Sequence, residues 1–245
     1  MRYFIEFAYK GTNYHGWQAQ PNAITVQSVL GNAMETVLRQ PIILTGAGRT
    51  DAGVHARQMF AHFDCETELN FEQLVYKINS LLPKDIVVYN FYNVSETAHA
   101  RFDATKRTYE YYINTKKNAF QSNDSWYFQN NLNINLMNKA CEILKTHTDF
   151  ECFSKVNTDV NTFNCSIHCA FWEQKNENLL LTISADRFLR NMVRAIVGTM
   201  INIGLEKVSL LQFESILKSK DRKKAGFSAP AEGLYLTKVE YDFLE

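Results

Sequence analysis

Residues 2–38, RYFIEFAYKGTNYHGWQAQPNAITVQSVLGNAMETVL, join a strand pattern to a helix pattern through a turn that contains two glycines. Residues 2–9 are rich in aromatic and β-branched types, a composition typical of a strand, and Gly11 and Gly16 mark the turn. From Thr25, a residue type that caps helices, apolar residues recur with the three- and four-residue spacing of one helix face. The stretch therefore predicts a strand, a turn and a helix in that order.

The residues that follow extend this unit to the order β-α-β-β-α-β. Two strand patterns flank a glycine-rich segment, GAGRTDAGVHA, at residues 46–56. A second amphipathic helix comes next, and Pro83 ends it because proline lacks the amide hydrogen that a helix interior needs. The predicted elements are strands at residues 42–45, 59–64 and 86–92 and a helix at residues 71–82.

The same order recurs after Ala98. The patterns predict strands at residues 107–114, 163–172 and 179–184, helices at 136–145 and 191–203, and finally a short helix at 210–218 and a strand at 233–242. Residues 115–131 have no helical period and are interpreted as a long surface loop. We therefore predict an α+β fold of two ferredoxin-like β-α-β-β-α-β halves, residues 1–100 and 101–245, whose antiparallel sheets meet at a central cleft.

The composition limits the classes of function. The 245 residues include 26 Lys plus Arg and 26 Asp plus Glu, so no overall positive field draws the chain to nucleic acid without selectivity. Any RNA contact must come from local clusters of basic residues. The first residues, MRYFIEFAYKG, lack the regions of a signal peptide, and no apolar run approaches the roughly 18 residues of a membrane span. We expect a cytoplasmic protein without membrane contact.

The five cysteines are predicted to be reduced thiols, because an odd number scattered through a chain of this size does not suggest a disulfide framework. Cys165, His168 and Cys169 raise the alternative of a zinc site. The strand predicted there directs Cys165 and Cys169 to one face and His168 to the other, so the three side chains cannot converge on one ion. We therefore expect no metal.

The glycine-rich segment holds three residues with chemical potential: Arg49, Asp51 and His55. It does not fit a phosphate-binding loop, because no Gly-Lys-Ser/Thr follows and Asp51 stands where a nucleotide-binding fingerprint requires glycine. What remains is a carboxylate two residues from a guanidinium, among glycines that let another molecule approach closely. An Arg49–Asp51 ion pair that merely pins a turn is the alternative interpretation.

Five segments of the chain resemble the motifs of one enzyme family. GRTDAGVH, at residues 48–55, resembles the signature of the tRNA pseudouridine synthase A family. The family's other motifs are resembled, in the same order, by YKGTNYHGWQAQ at residues 9–20, HARFDATKRTYEYYI at 99–113, RFLRNMVRAIVG at 187–198 and EGLYL at 232–236. Because these segments span nearly the whole chain, the resemblance is of high specificity.

The resemblance implies an isomerisation of uridine to pseudouridine in tRNA that needs no cofactor. Asp51 would be the catalytic nucleophile, whose attack breaks the bond from N1 to C1′ before the uracil turns and rejoins through C5. Whether the attack falls on C1′ or on C6 of the base stays open. Tyr109 matches the family's active-site tyrosine, which can stack on the uracil and relay the C5 proton. Arg194 matches a motif arginine that we expect to pair with Asp51.

RNA binding by a neutral chain requires particular basic residues. Arg49 matches a position thought to enter the stem and help expel the base. The resemblance further implies a homodimer that holds tRNA and modifies positions 38–40 of the anticodon stem-loop. We expect phosphate contacts from Lys106, Arg107, Arg187 and Arg190 and from a C-terminal basic cluster, Lys218, Lys220, Arg222, Lys223 and Lys224. Each of these charges also fits an ordinary solvated surface.

Two departures from the family pattern and three alternative functions stay open. Lys10 stands where the family commonly has Asp, and Asn164 or Cys165 falls where an arginine is expected at the start of the third strand. Within the enzyme class, a synthase of the same fold could modify another RNA position. A module that binds single-stranded RNA by stacking would be expected to carry an aromatic pair that we do not find. A metal hydrolase lacks ligands.

Overall fold

The computed structural model describes residues 1–155, 161–175 and 178–244. Within these residues the chain is a mixed α/β protein whose strands are β1 (Arg2–Tyr9), β2 (Thr45–Gly46), β3 (His55–Asp64), β4 (Ile86–Val94), β5 (Ala104–Asn114), β6 (Trp126–Tyr127), β7 (Ile167–Lys175), β8 (Asn178–Ala185) and β9 (Leu234–Tyr241). Its helices are α1 (Val26–Leu38), α2 (Phe71–Leu81), α3 (Ile134–Lys145), α4 (Met192–Gly204) and α5 (Leu210–Ser219).

The chain divides into two compact units. The first unit consists of Met1–Thr105 together with Tyr235–Glu245, and the second unit is Lys106–Leu234. Almost all of β9 therefore belongs to the first unit, although the sequence analysis placed it with residues 101–245. The grouping has a physical basis, because β9 pairs with β3 of the first unit through His55 and Ala56.

The sheet of the first unit is built around β1, which lies between β3 and β4 and is antiparallel to both. One face of the sheet is covered by helix α2, where the ring of Phe71 lies 5.9 Å from Tyr3 and 6.1 Å from Phe91. On the other face, Tyr241 of β9 packs edge-on against Phe4 of β1 and Phe60 of β3, with ring centroids 5.2 and 5.3 Å away. Apolar burial on both faces makes this sheet a rigid support for the loops at its ends.

The helices begin where the sequence predicts them because side chains satisfy their first amide groups. Thr25 and Ser28 form a reciprocal capping box at the start of α1. The Asn70 side chain accepts a hydrogen bond from the Gln73 amide at 3.1 Å at the start of α2. Arg39 ends α1 in the left-handed conformation, with φ of 56°. The sequence prediction of these two helices is confirmed.

In the second unit, β8 lies between β5 and β7 and is antiparallel to both. Helix α3 is fixed to β7 by Asn138, whose side chain both donates to and accepts from the backbone of Trp172, at 2.9 and 2.7 Å. Helix α4 is buried on nearly all sides, which explains why its sequence is apolar beyond a single face.

Three local predictions are corrected by the structure. Residues 42–44 form no strand, and Ile43 is 84% exposed while its neighbours Ile42 and Leu44 are buried. The side-chain alternation is present, but the ladder with β3 begins at Thr45. Within residues 115–131, β6 pairs in parallel with β5, so this segment is not only a loop. Strand β7 begins at Ile167, so Asn164 and Cys165 precede it.

Parallel pairing is also a difference from the antiparallel sheets that we predicted. Strand β9 runs parallel to β3, and β6 runs parallel to β5. A parallel pair needs a crossover connection, and periodicity within one segment carries no information about its distant partner. No helix within the described ranges is long and apolar enough to cross a membrane.

His62 is expected to make the stability depend on pH. It is buried in β3, and its Nδ1 accepts a hydrogen bond from the Ala100 amide at 3.1 Å. Burial, with the nearby charges of His99 and Arg2, lowers the pKa of His62 from 6.5 to about 4. Because the unfolded chain takes up this proton more readily, the contribution is present above about pH 6.5 and is lost as the pH falls towards 4.

We therefore expect the melting temperature to fall between about pH 7 and pH 5 by less in His62→Gln than in the unaltered protein. His15→Gln, at an exposed histidine, is the matched control and should retain the full dependence. Equal pH dependence in His62→Gln and the unaltered protein would show that His62 does not cause it. Thermal unfolding followed by circular dichroism measures all three proteins.

Candidate active site

Asp51 lies in the loop between β2 and β3, at the first position of a tight turn. The Val54 amide donates a hydrogen bond to the Asp51 carbonyl oxygen at 3.2 Å, which closes a four-residue turn. Gly53, at the third position, has a φ of 80°. A turn with positive φ at this position strongly favours glycine, because a Cβ atom disfavours the left-handed region. Gly53 of the GRTDAGVH segment is thus explained by the backbone that presents Asp51.

The loop that carries Asp51 rests on the segment that follows β1. The Gly53 amide donates to the Tyr14 carbonyl at 3.2 Å, and the Trp17 amide donates to the Thr50 carbonyl at 3.4 Å. The Tyr9 and Thr50 hydroxyl groups are hydrogen-bonded at 2.8 Å. Two of the motifs found in the sequence, residues 9–20 and 48–55, are therefore packed together in the first unit.

Gly16 makes one of the close approaches in this packing. It has a φ of 86°, and a Cβ added to it would lie 2.2 Å from the carbonyl oxygen of Thr50, next to Asp51. Any other residue would meet both a strained backbone and a collision with backbone that has no freedom to rotate away. Gly16 thus holds the residue beside the candidate nucleophile in place.

Gly16→Ala is expected to destabilise the protein by roughly 2–5 kcal/mol, the sum of left-handed backbone strain and overpacking. The loss of loop position should lower catalytic turnover as well. The matched control is Gly48→Ala in the same motif, where an added Cβ would meet nothing within 4 Å. Urea unfolding of the two variants compares them directly, and equal stability would contradict the role given to Gly16.

The polar residues around the turn differ in their surroundings. Asp51 is half-buried, so it is neither in open solvent nor sealed in the interior, and Arg49 is exposed. His55 is buried; its Nδ1 accepts a hydrogen bond from the Gly11 amide at 3.0 Å, and its ring stacks on Tyr235 with centroids 4.5 Å apart. These contacts give His55 a role in holding the loop to the sheet.

Tyr109 and Arg194 lie in the second unit. Tyr109 is half-buried on β5, opposite Ile183 of β8, and its ring meets Phe188 edge-on at 5.1 Å. Arg194 is half-buried on α4, where its Nε donates to the Ala229 carbonyl at 2.7 Å. The Ala229 amide donates back to the Arg194 carbonyl at 3.0 Å. Both side chains are therefore positioned by defined contacts and retain some accessible surface.

The four basic residues expected to contact phosphate all lie in the second unit. A terminal nitrogen of Arg107 donates to the Asp186 carbonyl at 2.7 Å. Lys106 and Arg187 are half-buried, and Arg190 is exposed. Lys106 and Arg107 lie on β5, and Arg187 and Arg190 lie on the segment between β8 and α4. That segment also carries Phe188, the neighbour of Tyr109.

The C-terminal basic cluster is partly engaged within the protein. Lys220 forms an ion pair with Asp149 at 2.6 Å, and Lys218 contacts Glu214 at 3.7 Å. Arg222 donates to the Gly226 carbonyl and to the Ser228 hydroxyl, at 2.8 and 3.0 Å. Lys223 and Lys224 are exposed. The last two residues are therefore better placed than the first three for contact with another molecule.

The residues of the zinc alternative lie in different surroundings. Burial raises the pKa of Cys165 to about 12, which disfavours the thiolate that a metal requires. His168 is exposed, and Cys169 is half-buried. Across the parts of the chain that the structure describes, no group of three or more His, Cys, Asp or Glu side chains is arranged to hold a metal ion.

Three residues that contact the Asp51 loop or its neighbour His55 were given no role from the sequence alone: Tyr9, Gly16 and Tyr235. Their contacts depend on segments that are far apart in the chain, and the burial of Tyr235 against His55 arises only because β9 returns to β3. The signal that could have found Gly16 was present, since the YKGTNYHGW segment places two glycines within six residues.

Comparison with known proteins places the chain in one family. A sequence model described as tRNA pseudouridine synthase matches residues 6–103 and 140–242. Proteins named tRNA pseudouridine synthase A are similar over nearly their whole length: the one from Bacteroides fragilis is 51% identical over 242 residues, covering 98% of this chain and 96% of the relative. The relative from Parabacteroides distasonis is 48% identical over 241 residues, with the same coverage. A more distant one, from Thermoanaerobacter sp., is 43% identical over 245 residues, covering 97% of this chain and 98% of the relative.

The matched regions include the loop that carries Asp51, the first residues of α4 with Arg194, and the segment that leads into β9. The chain therefore belongs to the tRNA pseudouridine synthase family, a family of isomerases.

Proposed function

We propose that this protein isomerises uridine to pseudouridine at positions 38–40 of the tRNA anticodon stem-loop, with Asp51 as the nucleophile. One observation carries the proposal: the half-buried Asp51 is presented on a turn that is hydrogen-bonded to the segment after β1, inside a chain of this family. A carboxylate held in this way is pre-positioned for attack, which lowers the entropic part of the barrier.

We propose that each unit is a variant of the ferredoxin-like fold. In the first unit, the order β4-β1-β3, with β2 antiparallel to β3, supports this description because it is the order of a β-α-β-β-α-β sheet. The boundary between functional halves near residue 100 and the central cleft remain part of this proposal. Residues from both units, Asp51 with Tyr109 and Arg194, act on the same uridine.

The proposed chemistry needs no cofactor because no atom is gained or lost. The Asp51 carboxylate attacks the nucleoside, and the bond from N1 to C1′ breaks with its electron pair left on uracil. The uracil turns, C5 forms the new bond to C1′, and the bond between Asp51 and the nucleoside breaks, which restores the carboxylate. The proton on C5 leaves, and N1 becomes protonated. Tyr109 stacks on the base and relays the C5 proton, while Arg194 pairs with Asp51.

The base must leave the RNA stack before Asp51 can reach it. We propose that the exposed Arg49 enters the stem and helps to expel the target nucleotide. Lys106, Arg107, Arg187 and Arg190 contact phosphates. A homodimer holds the tRNA. Sedimentation equilibrium with and without tRNA tests this. One protein chain per particle in both samples, after the mass of any bound tRNA is subtracted, would contradict the homodimer.

The reaction is tested with purified protein, transcribed tRNA and EDTA, without added nucleotide. Three transcripts each carry a single uridine at position 38, 39 or 40 and cytidine at the other two. Pseudouridine is located by carbodiimide labelling and primer extension. We expect modification at these positions alone. Modification at other positions would change the proposed target site but not the proposed reaction. No modification in total tRNA would contradict the proposed function.

A further inference from the structure

The first unit contains a cavity of about 710 Å³ that the proposed chemistry does not use. It lies at the end of β1, where Lys10, Arg57, Lys84, Asp85, Tyr89 and Tyr235 form most of its polar and aromatic lining. Tyr9 and small apolar side chains complete the wall. Its volume falls in the range of small-molecule binding sites. The cavity is therefore large enough for one nucleotide.

The charged groups of the cavity favour an anion. Lys10, Arg57 and Lys84 are all exposed, so their charges face solvent at the opening. The one acidic residue, Asp85, accepts hydrogen bonds from the Tyr14 hydroxyl at 2.6 Å and from the Asn13 side chain at 3.0 Å. Burial raises the pKa of Tyr14, which keeps its hydroxyl a donor to Asp85. The lining thus carries three basic side chains against one carboxylate, a net positive charge that favours an anion.

The cavity also offers flat surfaces for stacking. Tyr89 is 51% exposed although it is a large aromatic residue on a strand. The Arg57 guanidinium lies over the Tyr235 ring, 4.9 Å from its centroid, in a cation–π contact. RNA-binding proteins stack bases on tyrosine rings and on guanidinium planes.

The cavity adjoins the loop that carries Asp51. Gly11, next to Lys10, donates its amide hydrogen to His55, and His55 stacks on Tyr235. Ala56 and Arg57 follow His55 directly along β3 and line the cavity. A ligand here would contact the strand that begins four residues after the candidate nucleophile.

We propose that this cavity binds one nucleotide of the tRNA other than the target uridine, with its base stacked against Tyr89 and Arg57 and its phosphate beside Lys10 and Lys84. The inference rests on the proposed tRNA substrate. Lys10, a departure from the family pattern, then has a function as a phosphate contact. A free mononucleotide presents the same base and phosphate groups as a nucleotide within tRNA. The experiment therefore compares the binding of tRNA with that of a free mononucleotide.

Binding is measured by fluorescence anisotropy, with the full-length chain and a tRNA transcript that has cytidine at positions 38–40. Tyr89→Leu keeps apolar bulk and removes the ring, and we expect the Kd for tRNA to rise roughly tenfold. Lys84→Gln should reduce the slope of log Kd against log salt by about 1. The matched controls are Tyr76→Leu and Lys77→Gln, at exposed residues of α2, and these should bind as the unaltered protein does.

Photocrosslinking from residue 89 supplies a readout that a general loss of stability cannot imitate. With benzoylphenylalanine in place of Tyr89, we expect crosslinks to one nucleotide outside positions 38–40. The proposal is overturned if Tyr89→Leu and Lys84→Gln bind tRNA like the controls, or if they lose only the binding of free uridine monophosphate. Pseudouridine formation by the unaltered protein is scored separately, so a failure of the proposed function is distinguished from a failure of this one.

Discussion

Asp51→Asn is expected to reduce the rate of pseudouridine formation by on the order of 10⁴-fold or more. The substitution keeps the size and shape of the side chain and the turn that the Val54 amide closes, but an amide oxygen is a far weaker nucleophile than a carboxylate. Binding of tRNA should change much less than turnover, because the phosphate contacts lie on other residues. The measurement is a single-turnover assay with enzyme in excess over tRNA.

Asp242→Asn is the matched control for this substitution. Asp242 is an exposed carboxylate of the same unit, directly after β9, and its loss should leave the rate close to that of the unaltered protein. Retention of turnover by Asp51→Asn, at a rate above that of contaminating enzyme, would remove the proposed nucleophile. Equal loss in both variants would indicate damage to the fold rather than to the chemistry.

Tyr109→Phe is expected to lower the single-turnover rate by about 10²-fold, the usual loss when one positioned proton-transfer group is removed. The ring remains, so its edge-on contact with Phe188 and its ability to stack on uracil are preserved. Tyr109→Leu should lose more, because stacking is lost as well. If the hydroxyl relays the C5 proton, a primary isotope effect with 5-deuterated uridine should increase in Tyr109→Phe.

Tyr112→Phe controls for removal of a hydroxyl from the same strand. Tyr112 donates to Glu110 on β5 and has no role in the proposed reaction, so the variant should react as the unaltered protein does. Full activity of Tyr109→Phe would restrict Tyr109 to stacking. The same activity in Tyr109→Leu would remove it from the reaction altogether.

The sequence predicted correctly those elements whose signals, capping and periodicity, lie within one segment. Thr25 and the apolar spacing after it predict α1, and the structure has the capped helix at Val26–Leu38. Tyr111 lies in the strand predicted at residues 107–114, and it is buried on β5, with its hydroxyl donating to the Pro230 carbonyl at 2.8 Å. Periodicity and capping act within one turn or one strand, which is why they are visible in the sequence.

Contacts between distant segments were not predictable in the same way. Ile42 and Leu44 show a strand alternation and are buried, yet the residues from 42 to 44 form no strand, because burial does not require backbone pairing. The support of Asp51 by Gly16 joins two motifs that the sequence presents separately. The motifs identified the candidate residues, but only the structure explains why Gly16 and Gly53 accompany them.

The return of β9 to β3 has a consequence for synthesis on the ribosome. The nascent first unit cannot pair His55 and Ala56 with their partners until the whole second unit has been translated, which takes on the order of ten seconds. The start of β3, which follows the candidate nucleophile loop, therefore lacks its β9 partner during elongation. A premature stop shortly before residue 234 would thus damage the N-terminal part of the protein, about 180 residues upstream in the sequence.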